Sequence, residues 1–200
     1  MKETAIPTPT IYFIRHGETD WNAEARLQGQ RNTPLNPRGL KQAREVGRKL
    51  KTLAPDRARL DFICSPLQRT LATMEIVLEE YGAPADAFRT DERLKEIAFG
   101  AWEGKTWPEI AAEYPQELEE RRKDRWYYSP PGGGESYAMV QNRVMDLVRE
   151  LRRDTVLVSH GGVGRAMLVA LARFPRLRAP LEDIVQGHIL VFEKGRVLWV

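Results

Sequence analysis

The chain has 200 residues, of which 42% are hydrophobic and 30% charged, with five Trp and six each of Tyr and Phe. This length suits one globular unit spanning residues 1–200 with a sizeable core, and the composition excludes a disordered chain. Lys plus Arg number 31 against 28 Asp plus Glu, and no long run of like charge occurs, so the charge does not suggest a nucleic-acid partner.

The first half of the chain predicts two strands, each followed by a helix. A strand at residues 11–14 precedes a helix whose apolar face repeats every three or four residues through residues 40–50. A second apolar run at residues 60–64 precedes another helix. For that helix, Ser65 is the expected N-cap and Pro66 the expected first residue.

The second half continues the alternation of helices and strands. A helix at residues 137–151 precedes a strand at 155–158 and a helix at 163–173, and apolar runs at 189–192 and 197–200 then form a closing hairpin. Strands that alternate with helices are typical of an α/β fold. We expect a three-layer sandwich, in which a mostly parallel sheet has helices on both faces and an antiparallel edge.

Residues 99–134 depart from this alternation. The stretch is rich in Trp and Tyr, carries the basic sequence Arg121-Arg122-Lys123 and ends in the turn-forming run SPPGGG. We predict an insertion that packs over the edge of the sheet and acts as a cap on a ligand site. The sequence leaves the roles of Arg121 and Arg122 open.

Chemically active side chains directly follow three of the predicted strands. Arg15 and His16 follow the first strand, Arg69 lies in the first turn of the helix after the second, and His160 follows the next. Ligands of open α/β sheets bind at the carboxyl ends of strands, so these side chains should meet at one rim. Guanidinium groups and helix N-termini bind phosphate oxygens, and phosphate is therefore the expected ligand. His188 has no motif around it and is interpreted as structural.

An ordered series of short motifs carries a family resemblance. Each motif is weak alone, whereas their combination in this order is specific. The motifs are RHGET at 15–19, WN at 21–22, LNPRG at 35–39, SPLQRT at 65–70, Glu96 with Gly100 and the WEG of 102–104, and SHGG at 159–162. From about residue 11 to residue 160 and beyond, the chain resembles the histidine phosphatase superfamily, in its phosphoglycerate-mutase-like branch.

The resemblance implies catalytic roles for five residues. His16 is the nucleophile that forms a phosphohistidine, Arg15, Arg69 and His160 bind the transferring phosphoryl group, and Glu96 is the general acid and base. General chemistry agrees, because a neutral imidazole is a competent nucleophile and fixed cationic donors stabilise charge on phosphoryl oxygens. Among the carboxylates nearby in sequence, only the family spacing selects Glu96.

The family pattern also places four residues near the substrate: Asn22, Gln28, Gly29 and Gly161. It implies the phosphoglycerate mutase-like fold, and catalysis that needs neither a metal nor a cofactor. We therefore expect a phosphoric monoester hydrolase of the histidine acid phosphatase type, whose partner is a small phosphorylated metabolite. Broad-specificity and alpha-ribazole-phosphatase-like phosphatases are the branch members of this kind.

Three further functions stay open. A 2,3-bisphosphoglycerate-dependent phosphoglycerate mutase shares the first half-reaction, and Arg121 and Arg122 lie near the position of a paired arginine in those enzymes. The insertion is shorter than the mutase pattern calls for, and the chain stops directly after the last predicted strand; both features favour a phosphatase. The second function is that of a protein phosphohistidine phosphatase, and the third is that of a catalytically silent module that binds phosphorylated ligands. Retention of both His16 and Glu96 argues against the silent module.

The cysteine count and the N-terminus bear on the compartment. The single cysteine, Cys64, cannot form an internal disulfide and is expected to be a buried small side chain in a reducing compartment. Residues 1–10 lack the apolar stretch of a signal peptide, and no apolar run is long enough to span a bilayer. We expect a cytoplasmic protein with no membrane partner; its phosphomonoester and its oligomeric state are left open.

Overall fold

The computed structural model describes residues 9–200, and a six-stranded mixed sheet lies at the centre of these residues. In chain order the strands are β1 (Ile11–Arg15), β2 (Leu60–Cys64), β3 (Phe88–Thr90), β4 (Asp154–Ser159), β5 (Ile189–Glu193) and β6 (Arg196–Trp199). Their order across the sheet is β3-β2-β4-β1-β5-β6. The first four strands are parallel, whereas β5 and β6 are antiparallel at one edge, as the sequence predicted.

Helices cover both faces of this sheet. In the described part of the chain they are α1 (Asp20–Ala23), α2 (Pro37–Leu53), α3 (Gln68–Tyr81), α4 (Trp107–Glu113), α5 (Pro115–Lys123), α6 (Tyr137–Glu150) and α7 (Gly161–Ala172). Leu50 of α2 and Met74 of α3 share a core with Ile14, whereas Val144 of α6 shares the opposite core with Phe13. Neighbouring residues of β1 thus supply both cores, because successive strand side chains point to opposite faces. The predicted three-layer α/β sandwich is confirmed.

The predicted start of α3 is wrong. Ser65 and Pro66 were expected to be the N-cap and first residue, but α3 begins at Gln68, and its N-cap, Leu67, makes no side-chain capping bond. The hydroxyl of Ser65 lies 2.8 Å from the Nε2 atom of His160 instead. The Oγ of Ser65 also accepts from the N–H of Leu67 at 3.4 Å, so the side chain makes both a local bond and a tertiary contact without capping α3.

The other predicted strands, and the helices before and after β4, agree with the predictions to within two residues, whereas α2 extends three residues beyond its predicted apolar face at each end. The helix predicted at 163–173 begins two residues earlier, at Gly161, and the helix predicted at 137–151 ends at Glu150. The sequence predicted neither α1 nor β3, which have four and three residues. Elements this short do not show a periodic pattern of apolar residues.

Residues 99–134 fold around a small apolar core of their own. Trp102, Ile110 and Leu118 are buried together between a 3-10 turn and helices α4 and α5. The ring of Tyr128 stacks on Trp102 with centroids 5.7 Å apart. An isolated antiparallel bridge between Arg26 and Thr106 joins this stretch to the segment that follows α1. The stretch is thereby tied to the part of the chain that precedes α2.

Two expectations concern the compartment. The prediction that residues 1–10 lack a signal peptide falls largely outside the described residues, which begin at residue 9. Between residues 9 and 200, no helix combines the length and the apolar character that crossing a membrane requires. Cys64 is buried in β2, as its place in an apolar run predicted.

Candidate active site

The carboxyl ends of β1 and β4 bring two histidines together. These strands are parallel neighbours, and Arg15 is opposite Ser159 at the last position of their register. The residues that follow are His16 and His160, and their ring centroids are 5.2 Å apart. The rim that strand order predicted is therefore present.

Hydrogen bonds select one tautomer of His16. Its Nδ1 donates to the carbonyl of Gly17 at 2.7 Å, since a carbonyl oxygen can only accept. Nε2 is therefore unprotonated, and it accepts a hydrogen bond from Nε of Arg69 at 3.2 Å. Burial, followed by the guanidinium groups of Arg69 and Arg15, holds the pKa of His16 well below its usual value of 6.5. His16 is a neutral imidazole whose Nε2 lone pair can act as a nucleophile.

A close backbone contact fixes the carbonyl that orients His16. A side chain on Gly17 would meet the carbonyl oxygen of Gly39 at 2.3 Å, so the first turn of α2 packs directly on this glycine. The N–H of Gly17 donates to the hydroxyl of Thr73, in α3, at 3.1 Å. The orientation of the His16 ring therefore depends on contacts with two helices.

Arg69 is a fully buried cation at the start of α3. Besides its bond to His16, its Nη1 donates to the carbonyl of Arg31 at 2.7 Å and its Nη2 to the carbonyl of Gly29 at 2.8 Å. These bonds fix the plane of the guanidinium group. Burial is the main cause that lowers the pKa of Arg69, to about 10, so the side chain keeps its charge at neutral pH.

Glu103 braces the loop that holds Arg69. Its Oε1 accepts a hydrogen bond from the backbone of Gln30 at 3.0 Å, and its Oε2 lies 3.4 Å from Nε of Arg31. Gly29, in this loop, has a φ of +51°, and a Cβ there would lie 2.0 Å from Oε1 of Glu103. The sequence showed Glu103 only as part of a motif, so this positioning contact was missed.

Arg15 is a second cation beside His16. Its Nη1 donates to the carbonyl of Ile184 at 2.8 Å and lies 3.6 Å from Asp183. Its Nε is buried and has no hydrogen-bond partner within residues 9–200. Burial, and then the neighbouring Arg165, lower the pKa of Arg15. An anion bound here would supply both a hydrogen-bond acceptor and a compensating charge.

The carboxylate of Glu96 meets the N-terminus of α7. Its Oε1 accepts hydrogen bonds from the N–H of Gly162 at 3.0 Å and from the N–H of Ile97 at 2.8 Å. A Cβ on Gly162 would lie 2.4 Å from Oε1, so the lack of a side chain at this position permits the approach. The backbone carbonyl of Glu96 accepts from Arg143 at 3.2 Å. Both ends of Glu96 are therefore held in place.

A cavity of about 290 Å³ collects most of the predicted site residues. Eight of the nine line it, namely Arg15, His16, Asn22, Gln28, Gly29, Arg69, Glu96 and Gly161. The buried Gln28 is oriented by Thr33, whose hydroxyl donates to Oε1 of Gln28 at 2.5 Å. Within residues 9–200, no three His, Cys, Asp or Glu side chains are grouped so as to hold a metal ion.

His160, the ninth predicted residue, is not among the residues that line the cavity, although its ring lies beside that of His16. It is fully buried, and its Nδ1 has no hydrogen-bond partner in the described part of the chain. Burial, followed by the charges of Arg69 and His16, holds the pKa of His160 well below its usual value of 6.5. A neutral ring with one unpartnered nitrogen therefore lies beside His16.

Two arginines that the sequence had not assigned also line the cavity. Arg165 lies one turn into α7, a spacing from the SHGG motif that could have identified it. The guanidinium carbon of Arg121, in α5, lies 4.7 Å from the ring centroid of Trp107. Arg122 instead forms a surface ion pair with Glu119 at 3.3 Å. Only the first member of the Arg121-Arg122 pair therefore reaches the cavity.

Comparison with known families agrees with the motifs. Residues 11–196 match the family described as the histidine phosphatase superfamily (branch 1). The chain belongs to this superfamily. The resemblance inferred from the ordered motifs is confirmed, and the cavity at the ends of β1 and β4 is the candidate active site of a histidine phosphatase superfamily member.

Several known proteins are similar to this chain. Phosphoserine phosphatase 1 of Hydrogenobacter thermophilus is 35% identical over 171 residues, which cover 80% of this chain and 75% of that protein. A Salmonella paratyphi C protein named a probable phosphoglycerate mutase is 34% identical over 159 residues, covering 76% and 69%. The native structure of a mycobacterial glucosyl-3-phosphoglycerate phosphatase is 30% identical, with a TM-score of 0.76 and 96% of both chains covered.

Proposed function

We propose that this superfamily member is a metal-independent phosphatase of small phosphomonoesters, acting through a phosphohistidine on His16 with Glu96 as general acid and base. One observation carries the proposal. His16 is a buried, neutral imidazole whose Nδ1 is tied to Gly17 and whose Nε2 lies beside Arg69. Binding a phosphate needs only donors, whereas an imidazole held neutral with an unprotonated Nε2 suits attack on phosphorus.

The groups around His16 suit the oxygens of a phosphoryl group. Arg15 and Arg69 line the same cavity, and the backbone of Gly161 begins α7 beside them. Guanidinium groups take phosphoryl oxygens in pairs, and a helix N-terminus adds positive potential. Oδ1 of Asn22 accepts from Gln186 at 3.1 Å, so Asn22 has its NH2 group to offer a ligand. Donors of this kind stabilise the charge that builds up during phosphoryl transfer.

In the first half-reaction, Nε2 of His16 attacks phosphorus and the ester P–O bond breaks as the N–P bond forms. The acid form of Glu96 gives its proton to the departing alkoxide, which is a poor leaving group without it. Glu96 suits this role because its carboxyl group lines the cavity with His16 and is aimed by the N–H groups of Gly162 and Ile97.

In the second half-reaction, water attacks the phosphohistidine. The Glu96 carboxylate takes a proton from this water as the new P–O bond forms, and the N–P bond breaks to return His16 with its lone pair. Inorganic phosphate then leaves, and Glu96 again holds the proton for the next cycle. The two steps together consume one water for each ester hydrolysed.

The divergent arginine pair favours a phosphatase over a phosphoglycerate mutase. A mutase must exclude water and hold a second substrate hydroxyl against the phosphohistidine. Arg121 lines the cavity that holds His16, whereas Arg122 does not line it and is paired with Glu119 on the surface, so one cation of the pair, not two, is available beside His16. The names of the relatives include both phosphatases and a probable mutase, and an assay that detects phosphate release and isomerisation side by side separates the two activities.

We further propose that residues 99–134 act as a cap that selects the leaving group. Phe99, Trp107 and Arg121 line the cavity, and its volume of about 290 Å³ suits a small phosphorylated metabolite. The Arg121→Gln variant should raise KM and lower kcat/KM by about tenfold, the loss expected when one charged hydrogen bond to an anionic ester is removed. Arg122→Gln, one residue along, is the matched control and should leave both constants nearly unchanged.

The decisive assay for the proposed function is phosphate release from a panel of small phosphomonoesters with a chelator present. The wild-type chain should release phosphate, and His16→Ala should not, whereas His188→Ala, which changes a histidine away from the cavity, should behave as wild type. 3-Phosphoglycerate is included to detect 2-phosphoglycerate. Isomerisation with little phosphate release would favour the mutase. Phosphate release only from a phosphohistidine peptide would favour a protein phosphohistidine phosphatase. No activity in any assay would favour a binding module.

A further inference from the structure

We infer that Ser65 is a positioning residue that sets the tautomer of His160, so that Nδ1 of His160 carries the proton offered to the phosphoryl group. Ser65 was expected only as a helix cap, and none of the catalytic roles proposed for this site uses its side chain. The catalytic consequence rests on the proposed function. The tautomer itself does not, because it can be measured in the resting protein without any turnover.

The geometry places Ser65 firmly against the His160 ring. Ser65 follows β2, and its backbone N–H donates to the carbonyl of Val158 at 3.0 Å, which anchors it to β4. Its side chain is fully buried, and its Oγ lies 2.8 Å from Nε2 of His160. The Oγ also accepts a hydrogen bond from the N–H of Leu67 at 3.4 Å. Ser65 thus has a fixed backbone and a fixed acceptor contact.

The hydroxyl proton decides the direction of the bond between Ser65 and His160. A buried hydroxyl needs an acceptor for its proton, and the Leu67 N–H is a donor; within residues 9–200, Nε2 of His160 is the acceptor placed beside Oγ, so the hydroxyl is taken as the donor. A ring nitrogen that accepts a hydrogen bond carries no proton, so Nε2 of His160 is unprotonated. A neutral imidazole with unprotonated Nε2 carries its single ring proton on Nδ1.

The unpartnered Nδ1 of His160 suits this tautomer to binding a phosphoryl oxygen. Nδ1 is buried and has no hydrogen-bond partner among the described residues, although a buried N–H without a partner is costly. A phosphoryl oxygen on His16, whose ring centroid is 5.2 Å away, would satisfy it. The opposite tautomer would turn a lone pair towards the same anionic oxygens and repel them. Ser65 therefore determines whether His160 attracts or repels the phosphoryl group.

The tautomer can be tested directly by nitrogen NMR, because the chain has only three histidines. In the 15N-histidine-labelled protein, long-range proton–nitrogen correlations show which nitrogen of each ring is protonated, and His16→Gln and His188→Gln assign the signals. We expect His160 to be protonated on Nδ1 in the wild type. In Ser65→Ala, the form protonated on Nε2 should appear.

A matched control keeps this test specific. Ser159 is also fully buried and directly precedes His160, but its hydroxyl donates to the carbonyl of Leu94 at 2.7 Å rather than to the ring. Ser159→Ala should therefore leave the tautomer of His160 unchanged. Ser65→Thr keeps a hydroxyl at the position and should restore the wild-type tautomer. Thermal unfolding of each variant confirms that the compared proteins are folded.

Kinetics give the second readout. Ser65→Ala should lower kcat about tenfold to a hundredfold, as is typical when a partner that orients a functional histidine is lost, with a smaller change in KM. Ser65→Thr should recover most of this loss, which a merely structural hydroxyl would not require. A wild-type His160 protonated on Nε2, or an unchanged tautomer in Ser65→Ala, would overturn the inference. A wild-type protein silent in every phosphatase assay would instead overturn the proposed function and leave the tautomer assignment standing.

Discussion

At the scale of single residues, the candidate site depends on hydrogen bonds that fix which nitrogen of each histidine ring carries the proton. Nδ1 of His16 donates to the carbonyl of Gly17, which leaves the lone pair on Nε2, where Arg69 donates to it. The hydroxyl of Ser65 contacts Nε2 of His160, and Nδ1 of that ring has no partner within residues 9–200. The two rings therefore present different nitrogens in different protonation states. A lone pair suits attack on phosphorus, whereas an N–H suits binding of a phosphoryl oxygen.

The close contact between Glu96 and Gly162 gives a prediction at this scale. In Gly162→Ala, the new Cβ would lie 2.4 Å from Oε1 of Glu96, so the carboxylate must move. We expect kcat to fall about a hundredfold, the usual cost of displacing a catalytic group by about 1 Å. In Gly161→Ala, the Cβ would meet its nearest atom, on Arg165, at 3.5 Å, and the loss should be much smaller. Equal losses in the two variants would contradict the placement of Glu96.

The low pKa values of His16 and His160 predict how stability depends on pH. Both are lowered by burial first, so the folded protein binds these protons only well below pH 6.5, whereas the unfolded chain binds them near pH 6.5. The contribution of these two histidines to the free energy of unfolding is fully present above pH 6.5 and is lost as the pH falls below that value. The slope is about 1.4 kcal/mol per pH unit for each histidine.

Urea unfolding between about pH 6.5 and pH 5 measures this slope. In His16→Gln, unfolding should take up about one proton fewer, so the free energy of unfolding should fall less steeply as the pH decreases. The reason is that one group whose protonation the fold disfavours has been removed. A His16→Gln protein with the wild-type slope would show that His16 is not held neutral by the fold.

At the scale of elements, the site depends on where two helices begin. α7 begins with Gly161 and Gly162, which have poor helix propensity, so the sequence predicted a start two residues later. The absence of side chains there lets Glu96 reach the first turn. α3 begins later than predicted, and Ser65, which was expected to cap it, contacts His160 at the end of the neighbouring strand β4. Local patterns predict helices well, but they do not show which end residues are taken by distant partners.

Helix α6 gives a prediction about how Glu96 is held. Arg143 of α6 pairs with Glu135 at 2.9 Å and donates to the backbone carbonyls of Glu96 and Arg93. Arg143→Ala leaves Glu135, which is largely buried, without its partner. We expect a loss of about 2 to 3 kcal/mol in unfolding free energy and a lower kcat.

A second arginine of α6 provides the control for this prediction. Arg149 pairs with Asp146 at 2.7 Å, but both side chains are well exposed to solvent. Arg149→Ala should therefore cost less than about 1 kcal/mol and leave kcat unchanged. Chemical denaturation and steady-state kinetics on both variants check the comparison. Similar costs for the two arginines would mean that the contact to Glu96 contributes little.

At the scale of the whole molecule, the sequence predicted the fold class and most of the residues that line the candidate site, but not the order of the strands. Alternating apolar runs predict the parallel sheet, and residues that follow its strands meet at one rim as the parallel register requires. β3 was missed because it has only three residues, of which two are exposed. Glu103 was missed because its role arises from a contact with Gln30, far away in sequence, which no local pattern encodes. Arg165 was missed although its spacing from the SHGG motif could have identified it.

The central claim is that His16 carries the phosphoryl group during turnover. The most direct measurement is rapid acid-free quenching of the wild-type chain during turnover of a 32P-labelled phosphomonoester, followed by mass-spectrometric location of the label. The account predicts an alkali-stable, acid-labile phosphoryl group on His16 that forms at least as fast as kcat, and its absence in His16→Ala. Turnover with no labelled protein, or with the label on another residue, would contradict it.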